Sequence, residues 1–208
     1  ALIAICQGEA DNEPRALTAH VDTLGAEDRK SDEQGKRVDL QRRGIMKNSV
    51  EGEGVTVYTA DGRAYRGTIL TTKASVHAYG RKSDEQERTA ENMEVRLDVI
   101  AAKPEAMRAL GVEVGDFVAL DPRVEVTETG FIRSRHLDDK AGVACIFGAL
   151  KALTDAGLRP AQRTTVHISN YEEVGHGAAA GLPADLVELL VVDMAVLGEK
   201  QNSDEFSV

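Results

Sequence analysis

The sequence is short of positive charge: 25 Lys and Arg stand against 35 Asp and Glu in 208 residues, a formal net charge of −10. A surface with that balance repels nucleic acid and anionic lipid, so neither is an expected partner. No apolar run approaches the ~20 residues that cross a bilayer, and no signal-like segment opens the chain. Cysteine is scarce. Cys6 and Cys145 both sit among apolar neighbours, which reads as two buried thiols in a reducing, cytoplasmic compartment rather than a disulfide framework. The length suffices for one good core, or for a core domain with a smaller one beside it.

The hydrophobic pattern divides the chain in three. Ala1–Cys6 reads as a short buried strand and Ala16–His20 as a second. From Glu27 the character changes: a charged stretch to Arg43 precedes short β-like pieces, with Val55–Thr59 and Tyr65–Leu70 joined by the hairpin signal Asp61-Gly62. Gly80–Asn92 reads as a charged loop, Val95–Ile100 as a strand, Pro104–Leu110 as a short helix opened by proline, and Phe117–Leu120 as a strand. Beyond Leu137 the period turns helical: Asp138 or Asp139 is a natural N-cap, Ala141–Leu153 repeats at helical spacing, and Gly157 closes the helix. Thr164–Ser169 is a strand, Glu172–Ala180 a loop leading into a small-residue helix, and Leu189–Met194 a final buried strand. This rhythm predicts an α/β fold, a parallel or mixed sheet with covering helices, split as 1–26 and 131–208 around a mostly β module at 27–130. Both ends read as cut, so a fragment is expected. The segment Lys30-Ser31-Asp32-Glu33-Gln34 recurs as Lys82-Ser83-Asp84-Glu85-Gln86, and both copies read as solvated loops.

Acidic groups and one imidazole gather where strands stop or helices start, the place where open α/β sheets build ligand sites. His20 ends a strand, and Asp22 two residues on could accept its other N–H and fix the tautomer of a metal-bound ring. Asp138 and Asp139 head a helix; the plain reading is an N-cap, the functional one a carboxylate bridging two metals, with Lys140 satisfying the remaining acid or a neighbour. In an extended chain Glu172 and Glu173 point apart, so one can hold metal while the other stays free as a general base. Asp193 ends the apolar run Leu189–Val192, where a carboxylate needs a partner or a metal to offset desolvation. Of the other histidines, His167 reads as packing, His136 could line the site and His176 lies in the Glu-Glu loop; none of these, nor His77, has ligand spacing.

Ala19-His20-Val21-Asp22-Thr23-Leu24-Gly25, Leu137-Asp138-Asp139-Lys140-Ala141-Gly142, Glu172-Glu173-Val174-Gly175 and Val192-Asp193 together resemble the motifs of the dinuclear metallo-aminopeptidases that include the glutamyl, deblocking and tetrahedral aminopeptidases. Asn48–Gly54 and Val114–Phe117 are similar to that family's inserted domain. The resemblance implies a zinc-exopeptidase-like core, a mixed sheet covered by helices, with a small inserted β-barrel for oligomerisation and substrate access. It implies two divalent metal ions, zinc or cobalt with manganese possible: His20 and Asp193 on one, Asp138 bridging, Glu173 on the second. Glu172 would be the general base and Asp22 would orient His20. The second metal would take a further histidine downstream of these 208 residues. The implied activity is removal of N-terminal residues from peptides by a homo-oligomer, from dimer to dodecamer. Two other readings stay open: a non-catalytic scaffold or assembly fragment, and a related metal-dependent amidohydrolase or deacetylase.

Overall fold

A computed structural model of the protein describes residues 1–28, 37–42, 47–177 and 180–198. In chain order the elements are β1 (Leu2–Cys6), β2 (Ala10–His20), β3 (Ala26–Asp28), β4 (Arg37–Arg42), β5 (Gly54–Tyr58), β6 (Ala64–Thr71), α1 (Val76–Tyr79), α2 (Arg81–Asp84), β7 (Met93–Leu97), α3 (Pro104–Ala109), β8 (Phe117–Leu120), β9 (Glu125–Val126), β10 (Ile132–Arg133), α4 (Leu137–Asp155), β11 (Gln162–Ser169) and β12 (Glu188–Val191). Single 3-10 turns lie at Lys47–Ser49 and Glu172–Val174. Contacts group the chain into two compact units, Ala1–Thr23 with Val124–Val208, and Leu24–Arg123.

The first unit is a mixed four-stranded sheet in the order β1-β11-β2-β12. β11 and β12 both run parallel to β2, and β1 runs antiparallel to β11. Parallel neighbours need crossovers, and long stretches of chain supply them. Alternation along the strands sorts the side chains by face. Leu17, Ala19, Val166 and Ile168 share one face, where α4 lays Val143, Ile146 and Leu150 on them. On the other face Ile3, His167 and Thr18 are cross-strand neighbours. His167 is fully buried there. Its Nε2 donates to the Ala180 carbonyl at 3.0 Å, which leaves Nδ1 to accept the Thr18 hydroxyl at 3.0 Å. The loop between β11 and β12 is thus pinned to the sheet by a histidine that is itself satisfied.

In the second unit β3-β4-β7-β6-β5-β8 form a sheet that closes on itself, every pairing antiparallel. Inward residues alternate with outward ones, so Val55, Val57, Ile69, Met93, Val95, Leu97, Val118 and Leu120 meet in one core, joined by Met107 of α3. The β5–β6 hairpin turns where Asp61-Gly62 signals it. Gly62 takes φ +85°, and the Asp61 carboxylate accepts the Thr59 hydroxyl at 2.6 Å.

Several expectations are corrected. The strand expected at 16–20 extends back to Ala10, and the helix expected from Ala141 reaches Asp155, with Gly157 at φ +68° just past its end. The two strands read as buried are not: Leu2, Ile3 and Ile5 of β1, and Leu189, Leu190 and Val191 of β12, are all exposed. Both strands lie on sheet edges, and among the described residues one α-helix, α4, covers the sheet. Cys6 is half-buried and Cys145 exposed, because α4 turns Cys145 away from the strands. Within the charged loop expected at Gly80–Asn92, α2 forms, directly after α1. The second Lys-Ser-Asp-Glu-Gln copy lies there with Ser83 and Gln86 buried, Gln86 bonding the Lys73 N–H at 3.0 Å and the Thr72 hydroxyl at 2.6 Å. The first copy, part of the small helix expected after Glu172, and the strand expected from Glu205 lie outside the described residues.

Ile146 is 3% exposed and centres the contact between α4 and the sheet. Ile146→Ala should cost about 2–5 kcal/mol, the range for emptying such a site. Urea unfolding checks this; a loss under about 1 kcal/mol would mean that α4 does not pack as described.

Candidate metal centre

Strand register assembles the site. Ser169 stands opposite His20, so β11 and β2 end together and the Glu172 turn begins just beyond. Val191 stands opposite Thr18, so two residues on, Asp193 comes level with His20. The start of α4 closes the group from the fourth side. Residues Asp138 and Asp139 carry non-helical dihedrals (ψ 109° and 31°) and are joined by a cis peptide bond, so the helix proper starts at Lys140. Asp139 is its N-cap: Oδ1 accepts the Gly142 N–H at 3.1 Å.

Metal-binding atoms of His20, Asp138 and Asp193 all lie within 4.8 Å of one another. His20 is 2% exposed. Its Nδ1 donates to the Asp22 main-chain carbonyl at 3.2 Å, with Asp22 Oδ1 3.4 Å away. Its Nε2 faces Asp138 Oδ1 at 3.1 Å and Glu172 Oε2 at 3.7 Å. The other Asp22 oxygen, Oδ2, accepts the Glu173 N–H at 3.0 Å, so Asp22 links the end of β2 to the acidic turn. Tyr171 and Gly175 bracket that turn with left-handed backbone, both at φ +78°. At Gly177 a Cβ would meet the Asn170 carbonyl oxygen at 2.1 Å, so only glycine fits.

A divalent cation fits this arrangement. A carbonyl only accepts, so Nδ1 of His20 carries the hydrogen and a neutral ring turns the Nε2 lone pair toward two carboxylates. A cation must stand between them, a proton or a metal ion. In the ion-free site the proton is favoured: burial opposes a charged ring, but the hydrogen bond to Asp138 and the fields of Asp22, Glu172 and Asp138 raise the His20 pKa. Burial pushes the Glu173 carboxyl up as well, and Asp138, Glu172 and Asp22 add to it. Burial does the same at Asp139, with Asp193 adding. The group holds more negative charge than one imidazole can balance. Asp22 Oδ1 is also buried without a hydrogen bond.

Of the expected site residues, His20, Asp138 and Asp193 come together, with Glu172 beside the same imidazole. Glu173 lies outside the group of three, with its backbone N–H bound to Asp22. Two reasons given by the sequence are corrected, and of the two roles open to Lys140 the second is the one found. Asp193 is exposed, so desolvation does not hold it in place; the β12 register does. Glu172 and Glu173 sit in a 3-10 turn, not an extended chain. Lys140 bonds a neighbour's carbonyl, that of Val21, at 2.9 Å. His136 takes φ +65° ahead of α4 and His176 is exposed; neither belongs to the group of three. Asp139 was seen only as one of two possible caps, yet its Oδ2 also accepts the His20 N–H at 3.1 Å. The cap spacing from Asp139 to Gly142 was the available signal; the bond across 119 residues had none.

Comparison with known proteins gives the family and the fold. The profile of the M42 glutamyl aminopeptidases matches residues 1–208. "Putative aminopeptidase YhfE" of Bacillus subtilis (strain 168) is 44% identical over all 208 residues, which span 60% of that relative's length. Among solved structures, aminopeptidase APDkam598 from the archaeon Desulfurococcus kamchatkensis superposes with a TM-score of 0.80 at 21% identity, over 98% of this chain and 54% of that one. The Pyrococcus horikoshii TET1 peptidase, whose subunits assemble into a tetrahedron or a large octahedral shell, gives a TM-score of 0.65 at 23% identity, over 83% of this chain and 49% of that one. With its whole length matched by the profile, the chain belongs to the M42 glutamyl aminopeptidase family.

Proposed function

We propose that the α/β unit is the catalytic core of a metal-dependent aminopeptidase that removes N-terminal residues from peptides. One observation carries this reading: His20, Asp138 and Asp193 offer ligand atoms within 4.8 Å of one another, and Glu172 stands 3.7 Å from the same imidazole. In this reading His20 and Asp193 hold one divalent ion, Asp138 bridges to a second, and Glu173 holds the second. Zinc and cobalt suit the mixed nitrogen and oxygen donors, and manganese suits the carboxylates. Bound ions would polarise the scissile carbonyl and make water a stronger nucleophile at neutral pH. Glu172 takes the proton from the attacking water and passes it to the leaving amine. Asp22 is a positioning residue: its carbonyl holds the His20 ring at Nδ1, and its carboxylate holds the Glu172–Glu173 turn.

The closed sheet of 24–123 serves, in this proposal, as an inserted β-barrel domain for oligomerisation and substrate access. A homo-oligomer is the proposed assembly, and TET1 is a structural neighbour that assembles into shells. Among the described residues no helix is long and apolar enough to cross a membrane. A cytoplasmic location is part of the proposal and rests on the scarcity of cysteine. A second reading draws on the exposed apolar side chains of β1 and β12: this stretch is an assembly part that gains activity only when further polypeptide covers them.

Metal binding tests the first reading. Equilibrium dialysis against zinc should load the protein, and His20→Ala should bind at least ~10-fold more weakly, since a direct ligand outweighs the outer contacts that already cost 10–100-fold. Equal binding by both proteins would remove the basis for the proposal. Glu172→Gln should retain metal and lose roughly 10²–10⁴ in kcat, the usual contribution of general acid–base catalysis. Amino-acid p-nitroanilides check this, and N-acetylated counterparts should stay uncleaved. Cleavage of both would point instead to a broader amidohydrolase.

A further inference from the structure

The ligand His20 and the ligand Asp138 are 118 positions apart, so the metal geometry depends on what locks the end of β2 to the start of α4. Two adjacent residues do this. Asp139 Oδ2 accepts the His20 N–H at 3.1 Å, and Lys140 Nζ donates to the Val21 carbonyl at 2.9 Å. One grips the peptide group before the His20 side chain, and the other grips the carbonyl that leads into Asp22. The two are opposite in kind, an acid on an N–H and an ammonium on a carbonyl, so each is a charge-assisted bond in the stronger class. Asp139 is spoken for twice, because it also caps α4 through Gly142. Lys140 has no such second duty. It is exposed, it donates to the Val21 carbonyl, and the acids in its field are Asp22 and Glu173.

The geometry points to Lys140 as a positioning residue of the metal centre, acting through the Val21 carbonyl. Val21 N–H is already held by the Ser169 carbonyl at 3.2 Å, so Lys140 completes a three-point hold on the backbone, at His20 N–H, Val21 N–H and Val21 C=O, beside the Asp22 carboxylate that binds the acidic turn. That hold sets where the His20 ring and the Asp22 groups stand relative to Asp138. A plain surface lysine has no reason to reach back to a strand end 119 residues earlier in the chain. The inference rests on the metal-centre reading given above.

Cobalt(II) titration followed by visible absorption reads this directly, without turnover. Lys140→Met should weaken cobalt binding by roughly 10–100-fold, the range for contacts that orient ligands. Its absorption band at saturation should also shift, while the urea midpoint stays near that of the parent. Lys140→Arg, which can still donate to the carbonyl, should recover most of the affinity. Lys151→Met removes the lysine paired with Asp155 near the other end of α4 and should change nothing. Parent-like cobalt affinity in Lys140→Met overturns the proposal and leaves the metal centre standing, as does an arginine variant no better than the methionine one. Cobalt binding that is equally absent from the parent and from His20→Ala overturns the metal-centre reading, and this inference with it.

Discussion

Everything in the α/β unit turns on a surplus of negative charge around one buried imidazole. His20 faces Asp138 and Glu172 through Nε2 and Asp22 through Nδ1, with Asp193 and Glu173 close by. Burial raises the pKa of the Glu173 and Asp139 carboxyls, with Asp138 adding at Glu173 and Asp193 at Asp139. A divalent cation removes the conflict in one step, since each acid then gains an opposite charge. That is why this cluster is a candidate metal site.

The end of β2 is the hub that makes the crowding possible. Strand pairing fixes Val21 against Ser169, Asp139 and Lys140 tie residues 20 and 21 to α4, and Asp22 ties them to the acidic turn. Each bond joins segments more than a hundred residues apart, so the site forms only as the sheet does. The positive end of α4 faces the same region, and its N-terminus favours the nearby carboxylates. Asp139 shows the limit of that help: burial outweighs both its bonds to N–H groups, and its carboxyl still rises.

Local pattern made much of this legible. Alternation gave the strands of the second unit, Asp61-Gly62 gave the hairpin, and the change to helical spacing gave α4. The candidate acids stood out because each sits at the end of an element. What the sequence could not show is what lies on top of an element. Apolar runs at β1 and β12 looked buried, yet edge strands are buried only if something covers them. Gln86 looked like a solvated loop residue because its partners, Thr72 and Lys73, are brought near by folding alone. Asp193 was singled out for a desolvation it does not suffer; register against β2 is a pairwise property that no single strand displays. The Asp139 and Lys140 contacts were invisible for the same reason.

The three convergent donors are not equally well held. His20 is buried and gripped from several sides. Asp138 is half-buried, and the capped start of α4 fixes its neighbour. Asp193 follows a four-residue strand that pairs with β2 along one edge and exposes Leu189, Leu190 and Val191. Its carboxylate accepts its own neighbour's N–H, from Met194, at 2.6 Å. Ordering a poorly packed segment costs on the order of 1–2 kcal/mol per residue, and binding an ion through Asp193 must meet that cost. Anything that covered β12 would meet it in advance and so tighten the ion. On the metal-centre reading, packing on the exposed strand and ion affinity at His20, Asp138 and Asp193 would draw on the same ordering free energy.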